Sequence, residues 1–176
     1  MKREIGLWQL GGWTFTAVLG TLLHFLYGWT GSVGVAVFSA VNESTWEHMK
    51  LAFFPMLLFA LIQAKFFVGE YNGFWWIKFF GTLLAVSLIP ILYYPYAGAF
   101  GKSPDWLNIV FFFVSTGLGY LLEWILLKRG GVACKGEFVA VMFLMVGVAA
   151  FVIFTYMPLT LPIFQDPITG GYGILL

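Results

Sequence analysis

The chain has 176 residues, of which 61% are hydrophobic and only 10% are charged, and its formal net charge is +1. Soluble domains carry about 25% charged residues, so this composition excludes an ordinary water-exposed surface and indicates a membrane protein. The near-neutral charge also excludes nucleic acid as a partner, because no basic patch is available to neutralise phosphates. We therefore expect membrane lipid as the partner, while the oligomeric state stays open.

Five apolar segments are long enough to cross a membrane, since a helical span takes about 20 residues. The predicted spans are residues 7–27, 49–68, 74–100, 106–127 and 138–157. The first span is too long for the apolar core of a typical signal peptide, so we expect it to be retained. The sequence thus predicts an all-α polytopic bundle, forming one integral membrane domain over residues 1–176 with an external tail at 158–176.

The basic residues predict the orientation, because cytoplasmic segments of membrane proteins are enriched in Lys and Arg. A cytoplasmic N-terminus leaves only Lys50 and Lys102 outside. The other basic residues then fall on or near the inner side: Lys2, Arg3, Lys65, Lys78, Lys128, Arg129 and Lys135. We therefore expect a multi-pass protein of the cell membrane with a cytoplasmic N-terminus and an external C-terminus. A run of Tyr93, Tyr94 and Tyr96 marks the predicted external interface.

The segment between the first two spans has an unusual length. Residues 33–41 are mostly apolar but too few to cross a bilayer as a helix, and glycines lie before and within them, at Gly28, Gly31 and Gly34. We predict a short re-entrant or interfacial piece that returns to the external side, with its backbone shielded by other helices. The competing interpretation is a sixth span, which would invert the topology downstream and which the charge distribution disfavours.

The most polar stretch of the chain, residues 42–50, directly precedes the second span. Ser44 and Glu47 have the spacing of a capping box, in which the Ser44 hydroxyl accepts from the Glu47 amide and the Glu47 side chain reaches back to the Ser44 amide. His48 lies one turn after Ser44 and shares its helix face. Capping accounts for Ser44 and Glu47 but not for His48.

A matching feature lies on the first helix, where Gly12, Thr16, Gly20 and His24 follow one another at intervals of four residues. Small residues at this spacing allow helices to approach closely, so this face is predicted to point into the bundle. His24 and His48, the two histidines of the chain, are then expected at one depth near the external surface.

Ionisable residues inside a membrane bundle are costly and are by default candidates for a functional site. Two histidines with a carboxylate can hold a divalent metal such as zinc and leave a position for water, for which a second carboxylate would act as general base. The predicted site has His24 and His48 as metal ligands, Glu43 and Glu47 as catalytic carboxylates, and Asn42, Ser44 and Asp166 in support.

Three functions remain open for these residues. An enzyme would be a metal-assisted hydrolase or transferase acting on a lipid or lipid-linked group, and it requires the histidine nitrogens within about 3–5 Å of each other or of a shared carboxylate. A transporter or channel would pass an ion, a small solute or protons through a cavity that continues toward Glu123. A structural role requires histidines saturated by hydrogen bonds and no cavity.

Glu123 lies on the fourth predicted span, about one turn from its inner end at Lys128. Its depth matches that of Lys65 and Lys78, and Gln63 is expected nearby. We predict an ion pair or a carboxylate that snorkels to the interface, rather than a proton site.

Two short patterns resemble a known family. They are His24-Phe25-Leu26-Tyr27 and Asn42-Glu43-Ser44-Thr45-Trp46-Glu47-His48-Met49-Lys50. Together they resemble an H-F-x-Y and an N-E-S-x-W-E-H-x-K element of an uncharacterised family of small bacterial multi-pass membrane proteins. The ending, at residues 162–167 and 170–173, is also similar. The resemblance covers most of the chain and implies no activity.

Overall fold

The computed structural model describes residues 2–101 and 103–174. These residues form five long helices and two short 3₁₀ turns, at Val35–Val37 and Pro162–Phe164, and the described part of the chain contains no named strand. The helices are α1 (Lys2–Thr30), α2 (Thr45–Phe67), α3 (Phe74–Phe100), α4 (Asp105–Lys128) and α5 (Glu137–Tyr156). All five are long and apolar enough to cross a membrane, which confirms the predicted all-α multi-pass fold. Lys102, which entered the charge argument, lies outside the described residues.

The helices agree closely with the predicted spans. α3 has the predicted bounds, whereas α1 and α2 begin several residues earlier than their spans. α2 starts at Thr45 because Ser44 has an extended backbone and its hydroxyl accepts a hydrogen bond from the Glu47 amide. Hydropathy marks only the apolar part of a helix that lies within the hydrocarbon core, so polar helical turns outside that core are not detected.

α2 is the central helix of the bundle. It packs against α1 and α3 and also contacts α4 and α5, while α3 packs against α2, α4 and α5. The most apolar window of α2 is 61% buried, against 17–39% for the other four helices. Polar side chains at the start of α2 are therefore enclosed by protein rather than by lipid.

The small residues of α1 face the bundle, as their spacing predicted. A Cβ atom on Gly12 would lie 2.5 Å from the Tyr120 ring, and one on Gly20 would lie 2.9 Å from the Leu51 carbonyl oxygen. Between them, the Thr16 and Tyr120 hydroxyls are 2.8 Å apart and form a buried hydrogen bond. α1 therefore approaches α2 and α4 closely along this face, and His24 continues it by one further turn.

Residues 31–44 fold back as a loop instead of crossing the bundle, so the competing prediction of a sixth span is wrong. The loop is tied to three helices. The Ser39 hydroxyl donates to the Leu23 carbonyl of α1, the Lys50 ammonium of α2 donates to the Ala36 carbonyl at 2.8 Å, and the Tyr156 hydroxyl of α5 donates to the Val33 carbonyl at 2.6 Å.

The tail, residues 158–174, folds across the same end of the bundle. Phe164 is buried, and its ring centroid lies 4.8 Å from that of Trp46 and 5.3 Å from that of Phe154. The Asn42 side-chain amide donates to the Gly173 carbonyl at 2.9 Å. We call this end, formed by residues 31–44 and 158–174, the tail end.

A buried ion pair crosses the bundle nearer the opposite end. The Lys78 ammonium contacts both the Glu123 carboxylate and the Gln63 side-chain oxygen, and these three side chains are at most 1% exposed. The predicted pairing of Glu123 with a lysine beside Gln63 is confirmed. The pair joins α3 to α4, and its contact with Gln63 adds α2.

Candidate metal site

His24, Glu43 and His48 converge at the tail end. His24 Nε2 lies 3.6 Å from Glu43 Oε1, and His48 Nε2 lies 3.5 Å from Glu43 Oε2. One ligand atom from each of the three residues lies within 4.8 Å of the other two, and the imidazole centroids are 5.5 Å apart. Two helices and the loop between them thus bring two imidazoles onto one carboxylate.

The protonation of the His48 ring follows from its neighbour. His48 Nδ1 lies 2.9 Å from the Ser44 carbonyl oxygen, which can only accept a hydrogen bond. Nδ1 therefore carries the hydrogen, and a neutral ring then has its lone pair on Nε2, the atom that faces Glu43. Metal-binding histidines commonly donate from the other ring nitrogen to a backbone carbonyl in this way.

His24 lies on a turn of α1 that the loop contacts. The Ser39 hydroxyl accepts from the Tyr27 amide at 2.7 Å and donates to the Leu23 carbonyl, which are the backbone groups on either side of this turn. The Nδ1 atom of His24 is buried and has no hydrogen-bond partner.

Glu43 occupies the loop position just before α2, between the two rings. Its side chain is 42% exposed, whereas the histidine side chains are 26% and 22% exposed. Two imidazole nitrogens and one carboxylate are the ligand set of several catalytic zinc sites, in which a fourth position is left for water. The three residues therefore have both the atom types and the partial access that a metal site with an open position needs.

A cleft of about 710 Å³ adjoins this cluster. Glu43 and His48 line it on one side, and the end of α3 and the start of α4 line it on the other. Ile89 and Phe112 are its innermost apolar residues, while Asp105 and Asn108 lie toward the rim. A ligand in this cleft would lie directly beside two of the three candidate ligands.

Glu47 lies outside the cluster. Its carboxylate is 2.6 Å from the Lys50 ammonium, accepts from the Val41 amide at 3.0 Å and is contacted by the Thr155 hydroxyl at 3.3 Å. The side chains of Glu47 and Lys50 are almost entirely buried. The oxygens of Glu47 are therefore engaged in joining the loop, α2 and α5.

The capping box at the start of α2 is present only in part. The Ser44 hydroxyl accepts from the Glu47 amide at 3.4 Å, as predicted. The return bond from the Glu47 side chain to the Ser44 amide was predicted wrongly, because that amide donates to Asn42 Oδ1 at 2.9 Å. Asn42, two residues before the four-residue motif, supplies the competing local acceptor for the Ser44 amide and leaves the Glu47 carboxylate to Lys50.

Two of the predicted supporting residues have local partners. Asn42 joins the Ser44 amide to the tail, as described above. Asp166 accepts from the Ile168 amide at 2.9 Å and from the Thr169 hydroxyl at 2.7 Å, which closes a turn in the tail. Asp166 does not join His24, Glu43 and His48, but its turn places Ile168 in the lining of the cleft.

The cleft wall on α3 and α4 was not predicted from the sequence. Tyr93 and Tyr96 were interpreted as interface residues, and Asn108 and Asp105 were not considered. Asn108 is a polar residue one turn into an apolar helix, and this was the signal that would have marked the wall. The Asn108 Oδ1 atom is buried and has no hydrogen-bond partner.

Sequence comparison places the chain in a family. The family described as "Family of unknown function (DUF6512)" matches residues 2–174. The chain belongs to this family. This membership agrees with the predicted resemblance to an uncharacterised family. That the H-F-x-Y and N-E-S-x-W-E-H-x-K elements are typical of the family stays a prediction. No curated protein and no solved structure matches the chain.

Proposed function

We propose that this multi-pass membrane protein binds a divalent metal ion, zinc by its ligand types, through His24, Glu43 and His48. The bound ion would activate a water molecule that hydrolyses an acyl bond in a lipid-like substrate held in the cleft. The observation that carries the proposal is the convergence of the two Nε2 atoms on the oxygens of one carboxylate.

The distances favour a shared ion over direct contact. Hydrogen bonds from N–H to oxygen span about 2.7–3.2 Å, and both separations here are longer. Two ligand atoms that are each about 2.0–2.1 Å from a tetrahedral zinc ion lie about 3.3 Å apart. The separations of 3.6 and 3.5 Å, which run to different oxygens of Glu43, are close to that edge length. One ligand atom from each residue lies within 4.8 Å of the other two, so the three side chains would have to draw together to coordinate one ion.

Two observations weigh against a purely structural role. That role requires histidines saturated by hydrogen bonds, yet Nδ1 of His24 is buried without a partner. It also requires a closed site, yet His48 and Glu43 border a cleft of about 710 Å³.

A transport path has less support. Such a path requires a cavity that continues from the cluster toward Glu123. The described lining of the cleft stops at Ile89 and Phe112, and Glu123 is bound to Lys78. No observation therefore favours conduction over chemistry at the tail end.

The roles follow from the positions of the side chains. His24, His48 and Glu43 would hold the ion, and the Ser44 carbonyl would fix the His48 ring by accepting from Nδ1. The remaining position would face the cleft, where a zinc-bound water has its pKa lowered to about 7. Attack on an acyl carbonyl would yield a carboxylic acid and an alcohol or amine. Glu47, bound to Lys50, is assigned a structural role.

Zinc content of the purified chain tests the proposal. We expect about one tightly bound zinc ion per wild-type chain and loss of that ion in His24→Ala and in His48→Ala, since each removes one of three ligands. Glu43→Gln is expected to weaken binding, and Glu70→Gln is the matched control, because Glu70 is exposed and lies between α2 and α3. Stoichiometric zinc in both histidine variants, or its absence from the wild type, would overturn the proposal.

A further inference from the structure

We infer that the cleft binds an amphiphile with one long apolar chain and an uncharged polar head, with the head beside His48 and the chain directed inward between α3 and α4. This inference rests on the proposed function, since the metal ion would hold the head. It adds the class of substrate, which the ligand set alone does not specify.

The cleft is deep and becomes apolar inward. Seven residues of α4 separate Asp105 near the rim from Phe112 at the inner end, which corresponds to about 10 Å along a helix axis. Ile89 and Phe112 are 5% and 9% exposed. A chain of several methylene groups therefore fits the depth, and each buried methylene contributes about 0.8 kcal/mol.

The charges around the cleft favour an uncharged head. Its described lining includes the carboxylates of Glu43 and Asp105, and none of the lining residues within 2–101 and 103–174 is Lys or Arg. The proposed metal ion would offset the Glu43 carboxylate, but a phosphate head would still meet the Asp105 carboxylate and no lysine or arginine among these side chains. An ester or amide head avoids this repulsion.

The head is also expected to carry a hydrogen-bond donor. Two residues of the lining, Asn108 and Ser103, each carry a side-chain oxygen that is buried without a hydrogen-bond partner and would turn toward the cleft to meet a ligand. The Asn108 oxygen only accepts, so a hydroxyl or amide N–H of the ligand would satisfy it. A buried polar atom without a hydrogen-bond partner costs free energy. The cleft should therefore bind a ligand with a polar head in preference to a plain hydrocarbon.

The size and surroundings of the cleft fit one such molecule. A volume of about 710 Å³ is within the range of roughly 300–1,000 Å³ for sites that hold a single small ligand. Phe100, an apolar residue of the cleft wall, is 71% exposed and offers a surface to the surrounding lipid. A membrane is a reservoir of long-chain amphiphiles, so the ligand can enter directly from the bilayer.

The test compares two metal-binding probes that differ only in chain length. Cobalt-loaded protein in phosphatidylcholine nanodiscs is titrated with dodecanehydroxamic acid and with acetohydroxamic acid, and binding is followed by the visible spectrum of the cobalt ion. Ile89→Trp fills the inner end of the cleft. Ile153→Trp, at a 53% exposed position of α5, makes the same change elsewhere. Both variants leave partition of the probe into the bilayer unchanged.

We expect Ile89→Trp to weaken dodecanehydroxamate binding about tenfold or more, because displacing two methylenes from the cleft already has this effect. Its acetohydroxamate binding and all binding to Ile153→Trp should stay at the wild-type level. Hydroxamates bind metal ions as monoanions, so the charge of the head is tested by competition. Monolauroylglycerol, with an uncharged head, should displace dodecanehydroxamate, and dodecyl phosphate should compete poorly. If Ile89→Trp loses the acetohydroxamate signal, the smaller change Ile89→Phe takes its place.

The outcomes separate the inference from the function on which it rests. Cobalt binding with equal dodecanehydroxamate affinity in the wild type and the filled variant would overturn the inference and leave the metal site intact. Strong competition by dodecyl phosphate would overturn the uncharged head alone. Failure of the wild type to bind cobalt or zinc would overturn the proposed function, and the inference with it.

Discussion

The Glu47 carboxylate and the Lys50 ammonium lie 2.6 Å apart inside the bundle, with side-chain exposures of 3% and 0%. Lys50 also donates to the Ala36 carbonyl at 2.8 Å and to the Thr155 hydroxyl at 3.0 Å. One side chain therefore joins α2 to the loop and to α5. Because His48 lies between the two charged residues in sequence, this pair fixes the start of α2 and with it the position of His48.

Removing one member of this pair is expected to destabilise the protein. Lys50→Met would leave the Glu47 carboxylate buried without its cation, at a cost of about 3–5 kcal/mol. The double variant Lys50→Met with Glu47→Leu should recover much of the loss, because no buried charge remains unpaired. Unfolding free energies in detergent, combined as a double-mutant cycle, measure the coupling. Additive effects of the two substitutions would show that the pair is not coupled.

A second prediction concerns the approach of α1 to α2. Gly20→Ala would place a Cβ atom 2.9 Å from the Leu51 carbonyl oxygen, and overpacking of this kind costs about 1–3 kcal/mol. Gly11→Ala is the matched control on the same helix, since a Cβ atom there has no neighbour within 4 Å. We expect a lower unfolding midpoint for Gly20→Ala only. Equal midpoints for the two variants would contradict the close contact.

A third prediction tests the orientation, which rests on the distribution of basic residues. Cys134 is exposed between α4 and α5 and should lie in the cytoplasm. A membrane-impermeant maleimide is therefore expected to label it only after cells are permeabilised. In Cys134→Ser with Ile168→Cys, the new thiol is at a 77% exposed position of the tail end and should be labelled in intact cells. The reverse pattern would invert the topology.

The fold and the meeting of the two histidines could be predicted because they depend on local periodicity. Spacings of four residues placed His24 on the inward face of α1, and the number of spans placed His48 at the same end of the bundle. The pairing of Glu123 with Lys78 was also predictable, since a buried charge in a membrane needs a partner at the same depth.

Contacts between distant segments could not be predicted. Lys50 was counted only as an external charge, and its burial depends on Ala36 and Thr155, which lie 14 and 105 residues away. The cleft lies between the start of α2, the end of α3 and the start of α4. No periodic sequence pattern marks such a gap between helices. The turn at Asp166 could have been predicted, because an Asp directly before Pro167 and three residues before Thr169 favours local side-chain bonds over distant ones.

The ligand shell of the bound ion tests the central claim most directly. Zinc-loaded protein can be examined by X-ray absorption at the zinc edge. We predict two imidazole nitrogens, from His24 and His48, with the remaining ligands oxygen, at about 2.0–2.2 Å. A shell of oxygens without imidazole scattering, or a sulfur ligand at about 2.3 Å, would place the ion elsewhere on the chain and contradict the site.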